Sequence, residues 1–115
     1  MIMPFINVKY SGEITPDNEN NIKSALGSAV SVIGKSENWL MVGFEPNCSL
    51  YFKGEKSPKI AFVDVSVYGS ASKSAFEQFT GEVCRILGEN LGVPADKIYV
   101  KYSPTENWGW NGGNF

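Results

Sequence analysis

With 115 residues, 43% hydrophobic and 19% charged, the chain has the composition of one small globular domain, too short to enclose a large pocket on its own. A formal charge of −2 leaves no basic footprint for nucleic acid, and histidine, the commonest general base and metal ligand, is absent, so neither a metal nor a cofactor is expected. No apolar run approaches the ~20 residues that span a bilayer, so membrane insertion is not expected.

The start of the chain has no basic n-region and no long apolar h-region, so a secretory signal is not expected and the location is read as cytoplasmic. After Met1-Ile2-Met3, the apolar run from Pro4 to Lys9 reads as a strand ended by Ser11-Gly12. Thr15-Pro16-Asp17 has the signs of a helix start: Thr as N-cap, Pro at the first helical position, Asp near the positive end of the dipole. Ile22, Leu26, Ala29, Val30 and Ile33 recur at helical spacing, and Gly34 fits the C-terminal stop. Trp39 to Phe44 is an apolar run suited to a strand buried on both faces.

Ile60 to Val67 opens the second half of the chain and reads as a third, β-branched strand. From about Ser72 a second helix places Phe76, Phe79, Val83, Ile86, Leu87 and Leu91 on one face, and Gly92 and Pro94 end it. Ile98 to Tyr102 is the last regular strand, and the Gly-rich aromatic tail reads as a short hairpin or edge element. Cys48 falls in a loop and Cys84 on the second helix; far apart, they are expected to be reduced.

Strand–helix–strand occurs twice, which predicts two β-α-β repeats with right-handed crossovers. The expected fold class is α+β: a four-stranded mixed sheet with two helices on one face, a single domain over residues 1–115 in which 1–3 extend before Pro4. Trp39–Phe44 and Ala61–Val67 read as apolar on both faces, and a domain this small has no third layer, so oligomerisation is expected to cover the open face.

Several residues stand out chemically. Met3-Pro4 is a processing signal, because loss of Met exposes an N-terminal proline, a secondary amine that titrates near pH ~8 and can act as a base. Taken alone, Pro4 reads first as a structural proline at a strand start. Lys35, just past Gly34, either satisfies the helix C-terminus, worth ~0.3–1 kcal/mol, or pairs with a carboxylate; its three donors allow both. Tyr99 and Lys101 share parity on the last strand and so face the same way. Trp39, Trp108, Trp110 and Phe115 are aromatic candidates whose plain alternative is packing.

Pro4-Phe5-Ile6-Asn7-Val8, Ile33-Gly34-Lys35-Ser36, Lys97-Ile98-Tyr99-Val100-Lys101-Tyr102 and the tail from Asn107 to Phe115, in this order and spacing, resemble the macrophage migration inhibitory factor family of the tautomerase superfamily. The resemblance runs from Pro4 to Phe115. It implies a homotrimer whose sheets surround a central channel, and a phenylpyruvate keto–enol tautomerase with dopachrome isomerisation as a side activity. It also implies roles for residues: Pro4 as the catalytic base, Lys35 and the Val67 backbone N–H on the carboxylate of a small aromatic keto acid, Tyr99 from a neighbouring subunit, and Trp110 and Phe115 as pocket walls. Lys101 departs from the family, standing where vertebrate members carry asparagine. Trp39 replaces a frequent active-site tyrosine and Trp108 a smaller aliphatic. Lys59 and Phe62 occupy the places of a C-x-x-C found in some members, so thiol oxidoreductase activity is not carried over. A cytokine-like role with a cell-surface receptor, reached without a signal peptide, is the family's other function.

Keto–enol tautomerism requires a base near neutral pH, a group to hold the substrate acid and a donor for the developing enolate. Apolar neighbours Phe5, Ile6 and Val8, together with the positive charge of Lys35, would lower the pKa of a free Pro4 amine. With Met1-Ile2-Met3 attached, however, the Pro4 nitrogen is a tertiary amide without a basic lone pair. Removal of an initiator Met requires a small second residue, which Met3-Pro4 offers and Met1-Ile2 does not. The full-length form is therefore expected to have little turnover, with Met1-Ile2-Met3 at the pocket mouth, and the alternative function is a non-catalytic, cytokine-like binding protein.

Overall fold

The computed structural model describes residues 4–115; Met1-Ile2-Met3, and with them their expected place at a pocket mouth, lie outside the described residues. Strand β1 runs Pro4–Tyr10. Thr15 caps helix α1 (Pro16–Ala29), its Oγ1 accepting from the Asn18 N–H at 3.1 Å, with Pro16 opening the first turn as expected. A 3-10 turn at Val30–Ile33 continues α1, and Gly34 stops it in the left-handed region at φ 72°.

The expected strand Trp39–Phe44 is corrected by the structure. Ser36 accepts from the Asn38 N–H at 3.2 Å and caps a 3-10 turn over Glu37–Trp39, so β2 runs only Met41–Glu45. A short hydroxyl side chain that bonds its local backbone competes with extension, and the apolar run conceals this. β2 also lies at the sheet edge with Met41 66% exposed; it is not buried on both faces.

Strands β3 (Tyr51–Phe52) and β4 (Glu55–Lys56) form a hairpin that the sequence reading did not foresee. Lys53 and Gly54 both take positive φ, the signature of the primed turns that join hairpins. β5 is Ala61–Tyr68. Ser72 caps α2 (Lys73–Leu91), and Gly92 ends it at φ 69°. β6 runs Ile98–Thr105, beyond the expected end at Tyr102; it tolerates Pro104 because it is an edge strand. The tail forms the expected hairpin, β7 (Gly109–Trp110) against β8 (Gly113–Asn114).

The four-stranded sheet has the order β2-β1-β5-β6, with β1 parallel to β2, β5 parallel to β6, and β1 antiparallel to β5. Two β-α-β units are thus joined through their first strands, and the chain is α+β. Ile6, Val8, Tyr10, Val63, Val65 and Val67 pack under the helices with Ile22, Leu26, Phe79, Val83, Ile86 and Leu87. Fully burying one such aliphatic or aromatic side chain contributes about 1.5–3 kcal/mol.

The opposite face corrects the expectation of strands apolar on both sides. On β5 burial alternates, so Asp64 and Ser66 share the open face with Phe62 and Tyr68. Asn7, Asp64 and Lys101 lie on one rung, giving that face a polar centre. The run Ala61–Val67 looked apolar because four of its residues are aliphatic, but those four all point one way.

Gly34 sets where Lys35 leaves the helix. A Cβ there would meet no atom within 4 Å, so the only penalty for a side chain is the left-handed backbone. Gly34→Ala should lower the unfolding free energy by about 1–2 kcal/mol in urea titration, and Gly34→Asn by less, since asparagine visits this region more readily. Equal stability of all three proteins would show that the helix end relaxes without it.

Candidate functional site

Pro4 begins β1 directly opposite Val67 on β5, and both are buried. Lys35 reaches the same corner from the helix layer. Its backbone N–H bonds to the Val30 carbonyl at 3.0 Å, and its Nζ donates to the Tyr68 carbonyl at 3.3 Å. Pro4 and Lys35 therefore converge on the dipeptide Val67-Tyr68, although 31 residues separate them in the sequence.

Lys35 is only 7% exposed, the one charged residue among the described residues that is buried. Burial disfavours the ammonium and pushes its pKa below the ordinary lysine value of 10.5. The Tyr68 carbonyl takes one of its three donors, which leaves two for an anion. Gly69 follows at φ 81°, its N–H bonded to the Thr105 carbonyl at 2.8 Å; a Cβ there would come within 4.0 Å of the Lys35 Nζ.

A row of rings runs away from this corner. Tyr68 packs against Phe115 at 5.3 Å, Phe115 lies nearly parallel to Trp110 at 6.2 Å, and Trp110 meets Trp39 edge-on at 5.2 Å. Three of the aromatic candidates, Trp39, Trp110 and Phe115, are thus brought together. Trp108 is not part of the row. Its carbonyl accepts from the Phe115 N–H at 3.1 Å. The residue lines a cleft of about 540 Å³ with Phe5, Met41, Ser66 and Ser103, beside the Pro4–Val67 rung on the open face.

Tyr99 and Lys101 lie elsewhere in the protomer. Tyr99 sits opposite Phe62, five residues along β5 from Val67, or about 16 Å at the usual rise per residue. It is 61% exposed and its ring touches Phe52 at 5.4 Å. Lys101 sits opposite Asp64, three residues from Val67. One protomer does not bring either side chain to Pro4. Cys48 and Cys84 are both free. Burial pushes the Cys84 thiol up.

Tyr68 is the residue that sequence reasoning missed. Two signals were there: its parity with Ser66 on β5, and the glycine that follows and ends the strand. What the sequence does not show is the register that delivers Phe115 to its ring.

The arrangement offers a largely buried cation, an adjacent backbone and an aromatic wall, which together suit a small anion with an aryl group. A family model described as macrophage migration inhibitory factor (MIF) matches residues 3–115. The crystal structure of Leishmania major MIF2 superimposes with a TM-score of 0.92 at 31% identity, covering 98% of this chain and 97% of that one. The macrophage migration inhibitory factor homologue from Prochlorococcus marinus gives a TM-score of 0.86 at 28% identity, covering 96% and 98%. The macrophage migration inhibitory factor of Xenopus laevis is 26% identical over 84 residues, 71% of this chain and 72% of that protein.

The buried cation has a measurable consequence. The folded pKa of Lys35 lies below its unfolded value, so between the two the unfolded chain holds more protons and stability rises with pH. Lys35→Met removes the charge but keeps an unbranched apolar chain, so its melting temperature at pH 7 should equal or exceed that of the unsubstituted protein. The stability gain of the unsubstituted protein on approach to pH 10 should shrink in the variant. A variant that melts several degrees lower with an unchanged pH slope would mean that the ammonium stabilises the fold.

Proposed function

The chain belongs to the macrophage migration inhibitory factor family, and on that premise we propose that it is a phenylpyruvate keto–enol tautomerase whose general base is the Pro4 amine once that amine is free. The observation that carries this reading is the convergence of Pro4 and the Lys35 ammonium on Val67-Tyr68, at the end of a row of aromatic rings. In the proposed reaction Lys35 and the Val67 N–H bind the substrate carboxylate. Pro4 takes the proton from the carbon beside the carbonyl, and negative charge develops on the carbonyl oxygen. The proton is then available to that oxygen, which closes the cycle without a cofactor. Burial around Pro4 favours the neutral, basic form of the amine. Isomerisation of dopachrome-like compounds fits the same site, since they too place a carboxylate beside an acidic C–H.

Tyr99 and Lys101 enter this proposal from a neighbouring subunit of a homotrimer, because their own protomer holds them on distant rungs. Lys101 would add positive charge for an anionic substrate. A second reading is a cytokine-like binding protein without turnover, and it rests on Met1-Ile2-Met3, which convert the Pro4 nitrogen to an amide when present.

Two measurements test the reading. The 115-residue form and a form starting at Pro4, each with its N-terminus confirmed by mass, are assayed on phenylpyruvate. The Pro4 form is expected to turn over and the longer form to be slower by the 10²–10⁴-fold that a lost general base costs. Equal rates would remove Pro4 as the base. Sedimentation equilibrium at micromolar concentration should give three times the 12.6 kDa chain mass; a stable monomer would remove the shared site.

A further inference from the structure

Resting on the tautomerase reading, we propose that Tyr68 is a specificity-determining residue of the site, one that selects 2-keto acids carrying an aryl group. Its backbone and its side chain act at the two ends of the same ligand. The carbonyl of Tyr68 holds the Lys35 Nζ at 3.3 Å, so a carboxylate paired with that ammonium lies beside Tyr68. The side chain leaves the strand on the open face, with the parity of Ser66, and its half-buried ring packs against Phe115 at 5.3 Å. Tyr68 is thus the first ring of the row as seen from the cation, ahead of Phe115, Trp110 and Trp39.

The geometry of the strand end enforces this double role. Tyr68 is the last residue of β5, and Gly69 turns the chain at φ 81° while its N–H is fixed to the Thr105 carbonyl. The pairing of Tyr68 with Thr105 fixes where the side chain leaves the strand, and the contact with Phe115 holds the ring there. The Tyr68–Phe115 contact has the centroid spacing at which aromatic pairs attract. A substrate ring held by its carboxylate at Lys35 meets this edge, whereas a short alkyl chain bound through the same carboxylate gains little from it. The recognised class is therefore a 2-keto acid whose aryl group is close enough to its carboxylate to bridge ammonium and ring.

The test uses the form beginning at Pro4 and compares kcat/KM for phenylpyruvate with kcat/KM for 2-oxobutanoate, which has the same acid and keto groups but no ring. Tyr68→Ala should narrow the preference for phenylpyruvate roughly 3- to 10-fold, mainly through KM, the scale of one lost aromatic contact. Tyr68→Leu, which keeps an apolar side chain in the strand, should narrow it similarly and serves if the alanine variant is unstable. Tyr68→Phe should keep the preference, since the ring and not the hydroxyl is proposed to act. An unchanged preference in the alanine and leucine variants, or an equal fall for both substrates, would overturn the proposal; the latter would place the effect at the carboxylate end alone. If the unsubstituted Pro4 form turns over neither compound, the tautomerase reading fails by itself. The Tyr68 proposal is then decided by calorimetric binding of phenylpyruvate and 2-oxobutanoate to the same variants, with the same narrowing expected and an unchanged ratio overturning it.

Discussion

The antiparallel pairing of β1 with β5 is the constraint on which the rest depends. It joins the two β-α-β units and runs from Pro4 opposite Val67 to Tyr10 opposite Ala61. Each strand repeats with period two, so a slip of one residue would turn Ile6 and Val8 from the helix layer to the open face and expose Asn7 and Lys9 to the core. Burial of Ile6, Val8, Val63 and Val65 at 0% exposure therefore fixes the register. The same register places Pro4 against Val67. The location of the candidate base is a by-product of core packing, which gives it a precision that a loop residue would lack.

Lys35 is where this scaffold sustains a cost. A buried ammonium with one carbonyl partner is less stable than an apolar side chain of the same length, because burial disfavours its charge and one hydrogen bond only partly offsets that. Nothing acidic pairs with it in the described residues; the ion pairs there are Arg85 with Glu82 and Glu89, on the exposed face of α2. Two glycines in the left-handed region maintain the arrangement: Gly34 releases the chain from α1 at φ 72°, and Gly69 turns it at the end of β5 at φ 81°. A cation largely buried and with one carbonyl partner is poised for an anion, whose arrival adds to its hydrogen bonds.

Local signals were legible and distant ones were not. Thr15, Gly34, Ser72 and Gly92 act within a turn of their own positions, and each caps a helix where the sequence placed it. The doubled strand–helix–strand pattern gave the sheet, because each helix has a single apolar stripe. Trp39 misled because its apolar neighbours dominate the pattern, while the hydroxyl of Ser36 decides the backbone. Asp64 and Ser66 were masked by the valines that alternate with them. At the site, Pro4, Lys35, Trp110 and Phe115 were legible as a set through resemblance. Tyr68 was not, since its importance arises from where the C-terminal hairpin lands, a contact between residues 47 positions apart.

The positions of Tyr99 and Lys101 bear on assembly through simple geometry. Both point from β6 to the open face, but their rungs cross β5 at Phe62 and Asp64, while Pro4 crosses it at Val67. Strands of a sheet do not fold back over such a span, so a site that uses Pro4 and Tyr99 together must draw them from two copies of the chain. The contact is then heterologous, with the base end of one copy against the tyrosine end of the next, and such contacts close into a ring when the rotation permits. The open face has the character this requires. Phe5 and Tyr68 lie at one end beside Ser66, and Phe62 and Tyr99 at the other on the rung of Lys9, with the polar rung of Asn7, Asp64 and Lys101 between them. A uniformly apolar face would favour stacking in any orientation; polar and charged groups set among the rings restrict the orientations that leave no charge unpaired, and so would specify how two copies meet.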